Sequence, residues 1–171
     1  MLITLKSILK IAEAENKAIA AFNVTTLEGV RAVIAAAEET GEPVIVQFAN
    51  AAHGVYVPLA VIGPVMVHMA REALVPVCVH LDHGENLEEV SEALELGFTS
   101  VMFDGSALSY EKNVAYTSAV VEMAAQYGAG VEAEIGSMGR EETASAGEGG
   151  GDVSESAYTD PEMAASFVRD T

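Results

Sequence analysis

The feature that most constrains this chain is a rhythm. Short apolar, β-branched runs alternate with longer stretches of helical periodicity, five times in succession. The strand candidates are Ile19–Val24, Pro43–Phe48, Val75–Leu81, Ser100–Asp104 and Gly130–Ile135. Between them lie apolar positions at helical spacing over about 26–40, 59–73, 86–96 and 110–127. An N-terminal helix over 4–15 precedes the first strand, with Thr4 as its cap, and another helix opens at Asp160-Pro161, an acidic cap with proline at the first helical position. Gly41, Gly97 and Gly128 stand where helices should end. Consecutive βα units build parallel sheets, since each crossover helix returns the chain to the same edge. Near-continuous apolar strands fit a sheet covered on both faces. An open doubly wound sheet and a (β/α)8 barrel both satisfy this pattern, and periodicity does not separate them. The first strand is not followed by a glycine-rich dinucleotide fingerprint, which weakens the doubly wound reading.

Half of the residues are apolar, enough for a sizeable core in a chain of 171. We read residues 1–171 as one domain, or part of one. Eight Lys+Arg against 26 Asp+Glu leave a formal net charge of −18. That argues against nucleic acid and against anionic membrane surfaces, both of which are bound through Lys and Arg. No apolar run is long enough to span a bilayer. Cys78 is the single cysteine, so no intrachain disulfide is available, and a cytoplasmic location is the simplest expectation.

Polar residues collect at the C-terminal ends of the strands: Asn23, Asp82, Asp104 and Glu134. Both candidate architectures place active sites at that edge. The densest group is His80-Leu81-Asp82-His83-Gly84. By strand alternation Cys78, His80 and Asp82 share one face, and Val77, Val79 and Leu81 share the other. His83 falls at or just past the strand end. With the strands side by side, Asp82, His83, Asp104 and Glu134 converge on one rim. An imidazole among carboxylates suits a divalent metal of the zinc type. Each residue also has a plainer reading. Histidines at strand ends are often structural, and carboxylates there often cap the next helix. His53, His68 and Cys78 read as structural, exposed or core residues. Residues 143–157 contain Gly147, Gly149, Gly150 and Gly151 and no apolar periodicity, so they form either a mobile surface loop or a lid.

The run Val77-Cys78-Val79-His80-Leu81-Asp82-His83-Gly84 resembles the signature of the class II, zinc-dependent ketose-bisphosphate aldolases. Gly97–Ser106, Val131–Gly136, Ala20–Val24 and Tyr158–Glu162 are similar to further blocks of that family, in the same order. The resemblance implies a (β/α)8 barrel, with about five of its eight βα units in this chain. It implies reversible cleavage of fructose or tagatose 1,6-bisphosphate to dihydroxyacetone phosphate and glyceraldehyde 3-phosphate. It makes His83 a zinc ligand, Asp82 the acid/base, and Asp104 and Glu134 carboxylates that hold the metal in an alternate position. Glu142 then handles the proton on the triose-phosphate carbon, within a flexible active-site loop over 137–157, and Asn23 lies near the bound substrate. The implied cofactor is Zn2+ or another divalent metal, and a monovalent cation is admitted beside it. A homo-oligomer, dimer or tetramer, is suggested as well.

The chain departs from the family pattern in three ways. A barrel of this type takes about 250 residues, and the family's two later zinc histidines are expected beyond Thr171. Ala49 stands where many members carry a phosphate-touching serine. Arg140 is the one basic residue near the expected rim. These departures keep two alternatives in play: a catalytically incompetent barrel fragment that serves as an assembly partner, and another metal-assisted carbon–carbon lyase on the same scaffold.

Overall fold

The fold is that of a computed structural model, which describes residues 1–49, 57–136 and 159–171. Its elements are α1 (Leu5–Glu15), β1 (Ala21–Asn23), α2 (Leu27–Thr40), β2 (Val44–Phe48), α3 (Leu59–Glu72), β3 (Val77–Gly84), α4 (Leu87–Glu95), β4 (Ser100–Phe103), α5 (Tyr110–Tyr127), β5 (Gly130–Ala133) and α6 (Pro161–Asp170). Side-chain caps begin most of the helices. Thr4, Thr26, Asn86, Ser109 and Asp160 each accept a backbone N–H of the first turn, so donors that a helix leaves unpaired are satisfied.

Strand order decides between the two architectures. The five strands are all parallel and lie in the order β1-β2-β3-β4-β5. Each strand pairs with its successor, so the sheet has no point at which the winding reverses, as a doubly wound sheet must. The arrangement is five consecutive units of a (β/α)8 barrel.

The two faces of the sheet confirm this. Val44, Val46, Phe48, Val77, Val79, Leu81, Val101 and Phe103 form one large core with residues of α2, α3, α4 and α5. The other face carries Ile45 and Cys78, which pack on Ile8 of α1 in a separate small cluster. The N-terminal helix therefore closes the bottom of the barrel interior, against β3 and β5. Burial drives Cys78 up to about 12, so it is a thiol, as befits a small core residue. Among the described residues no helix is long and apolar enough to cross a membrane.

One irregularity shapes the upper rim. Leu81 pairs with Val101 and Gly84 with Phe103, so β3 carries one residue more than β4 between these pairs. This is a β-bulge. His83 takes the left-handed φ of 51° within it. Gly84 follows because nothing larger fits: a Cβ there would lie 2.6 Å from the Met102 carbonyl oxygen. The strand therefore runs through Gly84, past the end at Leu81 that the sequence suggests.

Gly84→Ala should cost about 3 kcal/mol by overpacking against backbone. Gly41, at the left-handed C-cap of α2 with open space around it, should lose about 1 kcal/mol on change to Ala. Urea unfolding of both variants checks this; equal losses would mean that the bulge tolerates a side chain.

Candidate metal and acid–base site

The bulge sets the geometry of the rim. Regular alternation would send Asp82 and His83 to opposite faces. The extra residue turns His83 back to the side of Asp82. Its Nε2 lies 4.0 Å from Asp82 Oδ1. Its Nδ1 hydrogen-bonds Asp104 Oδ2 at 3.0 Å and lies 3.9 Å from Glu134 Oε2. β4 ends at Phe103 and β5 at Ala133, so Asp104 and Glu134 both follow directly on strand ends.

Two of the carboxylates are held by one oxygen. Asp82 Oδ2 accepts from Asn23 Nδ2 at 3.2 Å and from Gln47 Nε2 at 2.9 Å. Its Oδ1 remains on the His83 side. Asp104 Oδ1 accepts from the Ser106 N–H and hydroxyl at 3.1 and 2.6 Å, which leaves Oδ2 for His83. The Asp82, Asp104 and Glu134 side chains are mostly buried, whereas the His83 ring is 49% exposed. The hydrogen bond to Asp104 raises the His83 pKa against the opposing effect of burial. Burial draws the Asp104 carboxyl upward, but its hydrogen bonds from Ser106 and His83 outweigh that and hold it below the usual range.

Beneath this rim lies a second polar layer. His80 is buried; its Nδ1 pairs with Ser100 Oγ at 2.7 Å and its Nε2 lies 3.5 Å from Glu132 Oε2. Burial lowers its pKa to about 4. Burial and the neighbouring Asp82 raise that of Glu132.

One ring nitrogen and two carboxylate oxygens, from His83, Asp104 and Glu134, all lie within 4.8 Å of one another. That donor set fits a divalent cation of the zinc type. Asp82 is tied to two amides instead, which suits a carboxylate kept available for proton transfer.

The family model described as fructose-bisphosphate aldolase class-II matches residues 3–171. The chain belongs to that family. Fructose-bisphosphate aldolase from Thermus caldophilus is 42% identical over 172 residues, covering 100% of this chain and 54% of that protein. The enzyme of the same name from Geobacillus stearothermophilus is 37% identical, with 99% and 58% covered. The chain thus spans about half the length of the curated relatives it matches. The crystal structure of the YdjI aldolase from Escherichia coli K12 superposes on all of this chain and 58% of its own, with a TM-score of 0.82 at 35% identity. Class II aldolases are generally metal-dependent, which accords with the donor set at the rim.

The structure brings together Asn23, Asp82, His83, Asp104 and Glu134. His68 is exposed on α3, and Ala49 is buried just after β2. Glu142, Arg140, His53 and the loop over 137–157 lie outside the described residues. The sequence reading passed over Gln47, whose signal was available: it is the polar residue in the apolar run of β2, on the same face as Ile45.

His80 carries a pH signature. The unfolded chain takes a proton near pH 6.5 that the folded chain refuses until about pH 4. Stability contributed by neutral His80 is therefore present above pH 6.5 and declines as pH falls toward 4. Nitrogen NMR should show this imidazole neutral from pH 8 to 5; a midpoint near 6.5 would contradict the buried pairing.

Proposed function

We propose that the protein carrying this chain is a metal-dependent aldolase that reversibly cleaves a ketose 1,6-bisphosphate, fructose or tagatose, to dihydroxyacetone phosphate and glyceraldehyde 3-phosphate. The observation that carries this reading is the pairing of a metal-type cluster with an adjacent carboxylate that is oriented separately.

The reaction breaks the C3–C4 bond and leaves an electron pair on a carbon beside a carbonyl. A divalent metal, Zn2+ in the first instance, would be held by His83, with Asp104 and Glu134 able to hold it in an alternate, resting position, and would supply Lewis-acid stabilisation of that charge. The O4 hydroxyl must lose its proton as the bond breaks. Asp82 takes it on Oδ1, while Asn23 and Gln47 hold Oδ2 and fix the plane of the carboxylate. Glu142 delivers a proton to the triose-phosphate carbon in the cleavage direction, and the 137–157 loop brings it over the substrate. Asn23, at the end of β1, also borders the substrate. Phosphate binding falls largely to residues outside this chain, because the charge of −18 gives little local attraction for a bisphosphate. A homo-oligomer in the cytoplasm completes the reading.

Asp82→Asn in the full-length protein should lower kcat by roughly 10²–10⁴-fold, with metal content unchanged. Steady-state cleavage of both bisphosphates, with metal analysis of the same samples, tests it. Retained turnover would remove Asp82 from the proton transfer. Chelation should abolish cleavage and added Zn2+ restore it; activity indifferent to chelator would refute the metal requirement.

A further inference from the structure

We infer that Asn113, a buried amide on α5 that bonds to the backbone of Glu134, is the positioning residue that sets the Asp104 turn and the Glu134 backbone at a fixed separation. The inference rests on the reading of His83, Asp104 and Glu134 as the metal site.

The problem it solves is structural. The β4–β5 ladder ends at the pair Phe103 and Ala133. Asp104 and Glu134 both lie one residue beyond it, where the ladder no longer fixes their relative position. Asn113 is 3% exposed and sits between the two segments. Its Nδ2 donates to the Glu134 carbonyl oxygen at 2.7 Å. Its Oδ1 accepts from the buried Thr117 hydroxyl at 3.1 Å, one helical turn further on. That bond fixes which end of the amide faces Glu134.

The other side of the amide meets the Asp104 turn. A Cβ on Gly105 would stand 2.1 Å from Asn113 Oδ1 and 2.5 Å from its Cγ. The glycine backbone is therefore pressed against the amide, and only a residue without a side chain can follow Asp104. One planar group is thus bonded to the backbone of Glu134 and packed on the residue after Asp104.

Helix propensity gives no reason for this residue. Asn is a poor interior helix former, because its amide competes for backbone partners. Here both ends of the amide are occupied within the fold, so it is neither a solvated side chain nor a cap. Outer residues that orient ligands commonly change metal affinity by tenfold or more when replaced.

The test is a Co2+ titration of the substrate-free, full-length protein, read by visible absorption, with thermal unfolding of each variant alongside. Asn113→Asp keeps the shape and loses the donor to the Glu134 carbonyl. It should weaken Co2+ binding about tenfold. Thr117→Val leaves Asn113 in place and frees its amide to turn; it should weaken binding in the same direction by less, and it decides the matter if Asn113→Asp does not fold. Glu134→Gln serves as the control for the metal site and should weaken binding directly. If both Asn113→Asp and Thr117→Val lower the melting temperature yet bind Co2+ as tightly as the parent, Asn113 is a structural residue and the inference is overturned. If the parent binds no Co2+, or Glu134→Gln binds it unchanged, the metal reading itself fails and takes this inference with it.

Discussion

The rim depends on a single extra residue in β3. A left-handed histidine costs of the order of 1–2 kcal/mol relative to ordinary strand backbone, and it persists because the sheet around it leaves no other path. Leu81 and Gly84 are both paired to β4, and the space beside Gly84 is filled by the Met102 carbonyl. Between those fixed points the chain must absorb an additional residue. The result is that two adjacent side chains, Asp82 and His83, reach the same side of the sheet. Without the bulge His83 would fall on the face of Leu81, among the aliphatic side chains that pack on the helices. The proposed separation of roles between Asp82 as proton carrier and His83 as metal ligand rests on this backbone irregularity.

Electrostatics then favours a cation at the rim. Asp82, Asp104 and Glu134 surround one imidazole, with Glu132 below. Carboxylates this close disfavour one another's ionisation unless positive charge is shared among them. Ser106 hydrogen-bonds Asp104 and two amides hydrogen-bond Asp82, and at Asp104 the bonds from Ser106 and His83 outweigh burial and hold the carboxyl below the usual range. The bonds from Ser106 and from the two amides spend one oxygen of each of these carboxylates and present the other to His83. An ion that enters meets donors already aimed, with little reorganisation left to do.

Much of this was legible in the residues. The five strands and their helices follow from periodicity, and Thr4, Thr26, Gly41, Gly128 and Asp160-Pro161 mark helix ends where the structure has them. Membership of the family was readable from the ordered blocks around Asp82, Asp104 and Glu134. The choice of barrel over doubly wound sheet was not available from periodicity, because both repeat the same βα unit and differ only in which neighbour each strand pairs with. The bulge was hidden for a related reason: alternation assigns faces by counting, and a single inserted residue shifts the count without changing composition. Gly84 was its one trace. Gln47 and Asn113 escaped because a polar residue in a strand or helix looks alike whether it faces water or a buried partner. Only the three-dimensional placement of Asp82 and of Glu134 gives them meaning.

The most direct test of this account is anomalous diffraction at the zinc edge from crystals of the full-length, substrate-free protein. The account predicts a peak at bonding distance, about 2.0–2.2 Å, from a His83 nitrogen and from carboxylate oxygens of Asp104 and Glu134, with Asp82 still bound to Asn23 and Gln47 and outside the coordination shell. A peak that is coordinated by Asp82, or one that lies away from His83, would contradict it.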